Sequence, residues 1–135
     1  MKIFISGPMA NKEDNNITAF NKMENDLREL GFDVYNPAWN FYGSDWDRKE
    51  MLAVDIMALS HCDGMVQLDG WRYASGCISE FAFANACDIP LYSEKHIREM
   101  LSQKTSISKK RATSIGYRFL RRIKDVDRTD ARNDI

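Results

Sequence analysis

Apolar and polar positions along this chain follow two rhythms. Residues 2–6, Lys-Ile-Phe-Ile-Ser, form a short apolar run stopped by Gly7-Pro8, which predicts a buried strand ending in a turn. Ile17, Phe20, Met23, Leu27 and Leu30 recur three or four residues apart, a helical stripe over residues 16–30. Gly31 follows as the expected C-terminal stop. Residues 32–36 predict a second strand, broken by Pro37, and residues 38–47, aromatic and polar with a Gly-Ser pair, predict a loop. Helical spacing resumes over residues 48–61 through Met51, Leu52, Ile56 and Leu59. Residues 63–68 predict a third strand ending at Asp69-Gly70. Residues 76–87, rich in Ala and Phe, predict a buried helix, and residues 89–92 a fourth short strand. Beyond these lie a short helix over 94–102, a polar and basic stretch over 104–111, and an amphipathic helix over 113–126 with Ile115, Phe119 and Ile123 four apart.

Strands alternating with helices across short joins predict an α/β fold, a parallel sheet with helices on both faces. In such folds ligands bind beyond the carboxyl ends of the strands. That rule nominates three segments: Ser6–Asn11, Asn36–Trp46 and Asp69–Glu80.

With 135 residues the chain has room for one substantial core. Charge divides it unevenly. Residues 1–97 carry 8 Lys/Arg against 15 Asp/Glu, net −7, while residues 98–124 carry 9 basic residues against Glu99 alone, net +8. We therefore read a domain over 1–97 and a basic helical extension over 98–135. A nucleic-acid-binding domain is usually basic over its main surface, so an acidic body argues against that class. No apolar run approaches a membrane span. The N-terminus reads as a strand rather than a signal peptide. Cys62, Cys77 and Cys87 are three in number and lack a Cys-x-x-Cys, which fits reduced thiols in a cytoplasm. With only His61 and His96 besides, they argue against structural zinc.

Two carboxylates interrupt apolar stretches. Glu80 lies about one turn inside the Gly76-Cys77-Ile78-Ser79 helix start, and most of the residues after it are apolar. It is either a partner of the helix dipole or a functional group in a dry pocket. Asp55 breaks Leu52–Leu59 and either faces solvent or points into the crevice. Gly7-Pro8 reads as an ordinary turn or as a close approach of backbone to ligand. Neither a dinucleotide fingerprint nor a P-loop is present. Tyr35, Trp39, Phe41, Tyr42, Trp46, Trp71 and Tyr73 fall in or beside the nominated segments, where aromatic faces suit a nucleobase or cover a sheet edge. Cys77 has no histidine near it in sequence, which argues against a cysteine nucleophile.

Several of these motifs together resemble a known family. They are Met1–Met9 (MKIFISGPM), Asn16–Asn21 (NITAFN), Phe32–Ala38 (FDVYNPA), Asp55 eight residues before Asp63 in Cys-Asp-Gly-Met, and Gly70-Trp71 leading to Gly76-x-x-x-Glu80. In order and spacing, over residues 1–92, the chain is similar to the nucleoside 2-deoxyribosyltransferase-like superfamily, most of all to its small phage and prophage members. The resemblance implies a flavodoxin-like or Rossmann-like sheet of four to five strands. It implies cleavage or transfer at the N-glycosidic bond of a nucleoside or nucleoside 5′-monophosphate, as in deoxyribosyltransferases and monophosphate N-glycosidases. Glu80 would be the nucleophile on the anomeric carbon and Asp55 the assisting carboxyl group. Ser6, Gly7, Pro8, Met9, Asn11, Trp46, Trp71, Ser75 and Gly76 would contact the substrate. No metal or organic cofactor is implied, and a homodimer or larger homo-oligomer is. The family's usual polar residue six positions before the glutamate is Ala74 here, and the first loop lacks the Ser and Arg of the monophosphate glycosidases. Ser75, Lys12, Arg48 or a neighbouring subunit would have to supply phosphate contacts. Two further readings accompany this one: a non-catalytic nucleotide-binding protein, and a nucleic-acid-associated accessory protein using the basic arm.

Overall fold

A computed structural model describes residues 1–10, 12–40 and 45–125, with side chains as far as Thr113. The chain divides into two compact units, Met1–Met100 and Leu101–Ile135. In the first, four strands form one parallel sheet: β1 (Lys2–Ser6), β2 (Asp33–Tyr35), β3 (Gly64–Gln67) and β4 (Leu91–Ser93), in the spatial order β2-β1-β3-β4. Helices α1 (Ile17–Glu29), α2 (Arg48–Ser60) and α3 (Ser75–Ala86) connect them in turn. The order is that of the first four flavodoxin strands, in which the chain reverses direction across the sheet between β1 and β3.

Each face of the sheet carries its own apolar cluster. Ile3, Ile5, Val34, Val66 and Leu68 pack with Phe20, Met23 and Leu27 of α1 and with Ile97. On the other face Phe4 and Met65 pack with Leu59 of α2 and Ala84 of α3. Residues 3–6 of β1 and all of β3 are buried, as parallel strands covered by helices must be. Asp47 caps α2, its carboxylate accepting from the Glu50 amide at 2.9 Å. Gly31 ends α1 with φ of +91°, a conformation that favours glycine.

Three expectations change. The predicted loop over 38–47 begins inside a 3₁₀ turn, Pro37–Asn40, with Pro37 and Ala38 buried. Helix α3 is not buried all round: Cys77, Glu80 and Ala84 point inward, while Ile78 is 48% exposed. The C-terminal stretch is one helix, α4 (Glu94–Asp125), where the sequence reading divides it at 104–111. That segment contains neither Gly nor Pro, so its polarity has nothing to stop a helix with. Up to Met100 α4 belongs to the first unit, with Ile97 in the core and Met100 packed against it. The side chains of Ile115, Phe119 and Ile123 lie outside the described ones. No helix among the described residues is long and apolar enough to cross a membrane.

Candidate active site

Ser6 and Gln67 are register partners at the carboxyl ends of β1 and β3, the switch point of the sheet. Side-chain alternation puts both on the face of Phe4 and Met65, toward α2 and α3. There the Ser6 hydroxyl donates to Glu80 Oε1 at 3.0 Å, and both residues are buried. Glu80 stands five residues into α3, on the same inward side as Cys77 and Ala84.

Burial dominates the electrostatics of this carboxyl group. Desolvation first, then repulsion from Asp55, lifts the Glu80 pKa to about 8, and the Ser6 hydrogen bond only partly opposes them. Asp55, in the middle of α2, is itself raised to about 6 by burial, opposed by a hydrogen bond from the Asn40 side chain. Glu80 thus feels the charge of Asp55, which is itself partly buried. Near neutral pH such a pair holds about one proton, preferentially on Glu80. The Asn40 amide also donates to the Tyr35 hydroxyl at 2.6 Å. The Tyr35 ring in turn stacks on Phe4, centroids 5.5 Å apart and planes 8° from parallel.

The nominated substrate contacts divide. Ser6 joins Glu80. Gly76 has open space where a Cβ would stand, with nothing within 4 Å. Ser75, which is exposed, precedes it at the start of α3. Gly7, by contrast, is required by packing: a Cβ there would lie 2.7 Å from Leu68 Cδ1. Pro8 is buried, and its carbonyl accepts from Asn16 at 2.9 Å. Met9 packs against the α1-side cluster, the opposite face of the sheet from Glu80. The Trp71 ring lies against Phe81 at 5.1 Å, with the Arg72 guanidinium 5.3 Å from its centre. Trp46 is 41% exposed. Asn11 lies outside the described residues, as do Phe41 and Tyr42. Burial pushes the Cys77 thiol up to about 11, so it stays protonated and is a poor nucleophile.

Sequence reasoning missed two residues as site members. Asn40 fell in a nominated segment but was not singled out. Gln67 is 9% exposed beside Ser6, and its Nε2 has no hydrogen-bond partner among the described residues. A polar residue ending an otherwise apolar β3 was the available signal. The described residues hold no cluster of His, Cys, Asp and Glu able to bind a metal ion.

An open four-stranded parallel sheet in the order β2-β1-β3-β4, with helices joining its strands, defines a flavodoxin-like α/β fold. A solved structure of 2-deoxyribosyltransferase from Bacillus psychrosaccharolyticus is similar, with a TM-score of 0.55 and 23% identity over 69% of this chain and 71% of that one. Residues 1–93 match the family described as "Domain of unknown function (DUF4406)", and the chain belongs to it. Among curated proteins none is significantly similar in sequence.

Proposed function

We propose that this protein cleaves or transfers the N-glycosidic bond of a nucleoside or nucleoside 5′-monophosphate, with Glu80 as nucleophile and Asp55 as proton donor. The observation that carries this reading is a buried carboxyl group, Glu80 of α3, tied to Ser6 at the end of β1 and close enough to the partly buried Asp55 of α2 to feel its charge. The similar structure is that of an enzyme described as a biocatalyst for the synthesis of nucleosides.

The chemistry asks for one ionised and one protonated carboxyl group. As the bond between C1′ and the base lengthens, its electron pair passes to the base and the sugar becomes oxocarbenium-like. The ionised Glu80 stabilises that charge and forms a bond to C1′. The departing base takes a proton from Asp55. In the free site the single proton favours Glu80, so it must move to Asp55 as the sugar's charge develops and stabilises the Glu80 carboxylate. In the second step water or another base attacks C1′ and releases Glu80. That choice alone separates hydrolysis from transfer.

A second copy of this chain is the partner the reading implies. Leu52, Ala53, Ile56 and Met57 of α2 and Phe83 of α3 line an apolar recess of about 520 Å³, and Met57 is 63% exposed. An exposed recess of that kind suits burial against a like surface.

The test is incubation with ribo- and deoxynucleosides and their 5′-monophosphates, followed by chromatography for free base. Release that depends on Glu80 supports the reading. Binding of these ligands without any release from the panel would make the protein a non-catalytic nucleotide binder and overturn it.

A further inference from the structure

The turn that delivers Asn40 is pinned from behind. Asn36, fully buried, accepts from the Ala38 amide at 3.0 Å through its side chain and from the Trp39 amide at 3.1 Å through its carbonyl. Its own amide donates to Asn21 at 3.1 Å and to Glu24 at 3.0 Å, both on α1. Asn40 therefore leaves a fixed platform. Its side-chain nitrogen carries two protons: one goes to the Tyr35 oxygen at 2.6 Å, and the other is available to the Asp55 carboxylate, whose ionised form the Asn40 amide favours. Tyr35 cannot swing away, because its ring lies flat on the fully buried Phe4.

We propose that Asn40 is a positioning residue of the carboxyl pair: by bridging Asp55 to the Tyr35 hydroxyl it fixes the direction in which Asp55 presents its proton. The inference rests on the role given to Asp55 above. The bridge also has a directional consequence for Tyr35. A phenol oxygen that accepts from Asn40 has its own proton free to give, so Tyr35 is a donor beside the pair. Burial and the nearby Asp55 both oppose its ionisation, which keeps it one. Among the described residues, the groups that interact electrostatically with Asp55 are Glu80 from α3, Tyr35 from β2 and Asn40 from the 3₁₀ turn. Cys62 lies near Tyr35, its thiol raised by burial.

The experiment has two arms on the full chain. Carbon-detected NMR titration follows the Asp55 carboxyl directly and needs no turnover. In Asn40→Ala its midpoint rises by about one pH unit, because a hydrogen bond to the ionised form is gone. In Tyr35→Phe the Asn40 amide loses one anchor, and the midpoint rises by less. The second arm is the pH profile of base release. Asn40→Ala lowers kcat about tenfold or more with KM changed less than threefold, the mark of a transition-state effect. An Asp55 midpoint identical to wild type in both folded variants overturns the bridge. A shifted midpoint with an unchanged kcat overturns positioning. If the wild type releases no base, the function proposed above fails, and the titration still decides whether Asn40 governs Asp55. Should Asn40→Ala not fold, Tyr35→Phe, which keeps the ring stack, carries the same test.

Discussion

The Ser6 hydroxyl reaches Glu80 across 3.0 Å, joining the last residue of the central strand to a helix 74 positions further along the chain. Among the described residues it is the one group that favours the charged form of Glu80, against burial and Asp55. Ser6→Ala leaves the buried carboxylate short of a donor, a loss on the order of 1–3 kcal/mol in the ionised form. Base release should slow about tenfold or more, and the alkaline loss of activity, where the pair gives up its last proton from Glu80, should move to higher pH. A pH–rate profile matching wild type would exclude Ser6 from the control of Glu80.

Glu80 also sets how stability varies with pH. Its pKa is raised from 4.5 in the unfolded chain to about 8 in the fold, so the folded state binds the proton more tightly. The associated stability is complete below about pH 4.5 and is lost as pH rises through 8. At ~1.4 kcal/mol per pH unit the loss is a few kcal/mol. Asp55, raised from 3.8 to about 6, adds a smaller loss over the lower part of the same range. Glu80→Gln keeps the shape and removes the ionisation. Denaturant unfolding at pH 5 and pH 9 should show wild type weakening much more than the variant, while turnover of the variant falls by orders of magnitude. Equal pH dependence in the two proteins would mean that Glu80 ionises freely.

Asp55→Asn removes a proton donor without removing a side chain. Bases that leave easily need little protonation, and poor leaving groups need much. The variant should therefore lose most activity on the poorest leaving groups. An equal loss across bases would assign Asp55 to positioning the sugar.

What the sequence made legible follows from where the physical signal is local. The α1 stripe of Phe20, Met23 and Leu27 repeats within one element, so its inward face was readable, and Gly31 marked its end. Glu80 and Asp55 stood out because a carboxylate inside an apolar stretch needs a reason. The bond from Ser6 to Glu80 left no such trace, since two residues 74 apart share no periodicity. Asn40 was hidden for a related reason: its segment looked like a loop, and only the buried Asn36 network makes it a platform. Gly7 was open between an ordinary turn and an approach to ligand, and the space where its Cβ would stand is taken by Leu68, a contact between strand ends that no spacing announces.

The basic arm gives a fourth prediction. Ile97 is 2% exposed and Met100 packs against the same cluster, so a chain ending at Ile97 would cut into the core. A chain ending at Met100 keeps those contacts. It should unfold near the wild-type temperature, yet form a smaller assembly by light scattering or lose activity selectively on 5′-monophosphates. Unchanged size together with an unchanged substrate profile would remove the arm from both roles.

Gly76 separates binding from stability most cleanly. It lies in the first turn of α3, a left-handed backbone is not required there, and an added Cβ meets nothing within 4 Å. Within a helix, alanine is favoured over glycine by ~1 kcal/mol. Gly76→Ala should therefore leave the unfolding temperature unchanged or slightly raised. If substrate uses the open space beside this turn, the same methyl group obstructs it. KM should then rise severalfold, with kcat changed less, because the methyl group stands away from the reacting bond. Gly7→Ala is the contrast: its Cβ would meet Leu68 Cδ1 at 2.7 Å, an overpacking that costs about 1–3 kcal/mol. That variant should unfold at lower temperature. A Gly76→Ala enzyme with wild-type KM for every substrate would mean that the ligand does not approach the first turn of α3.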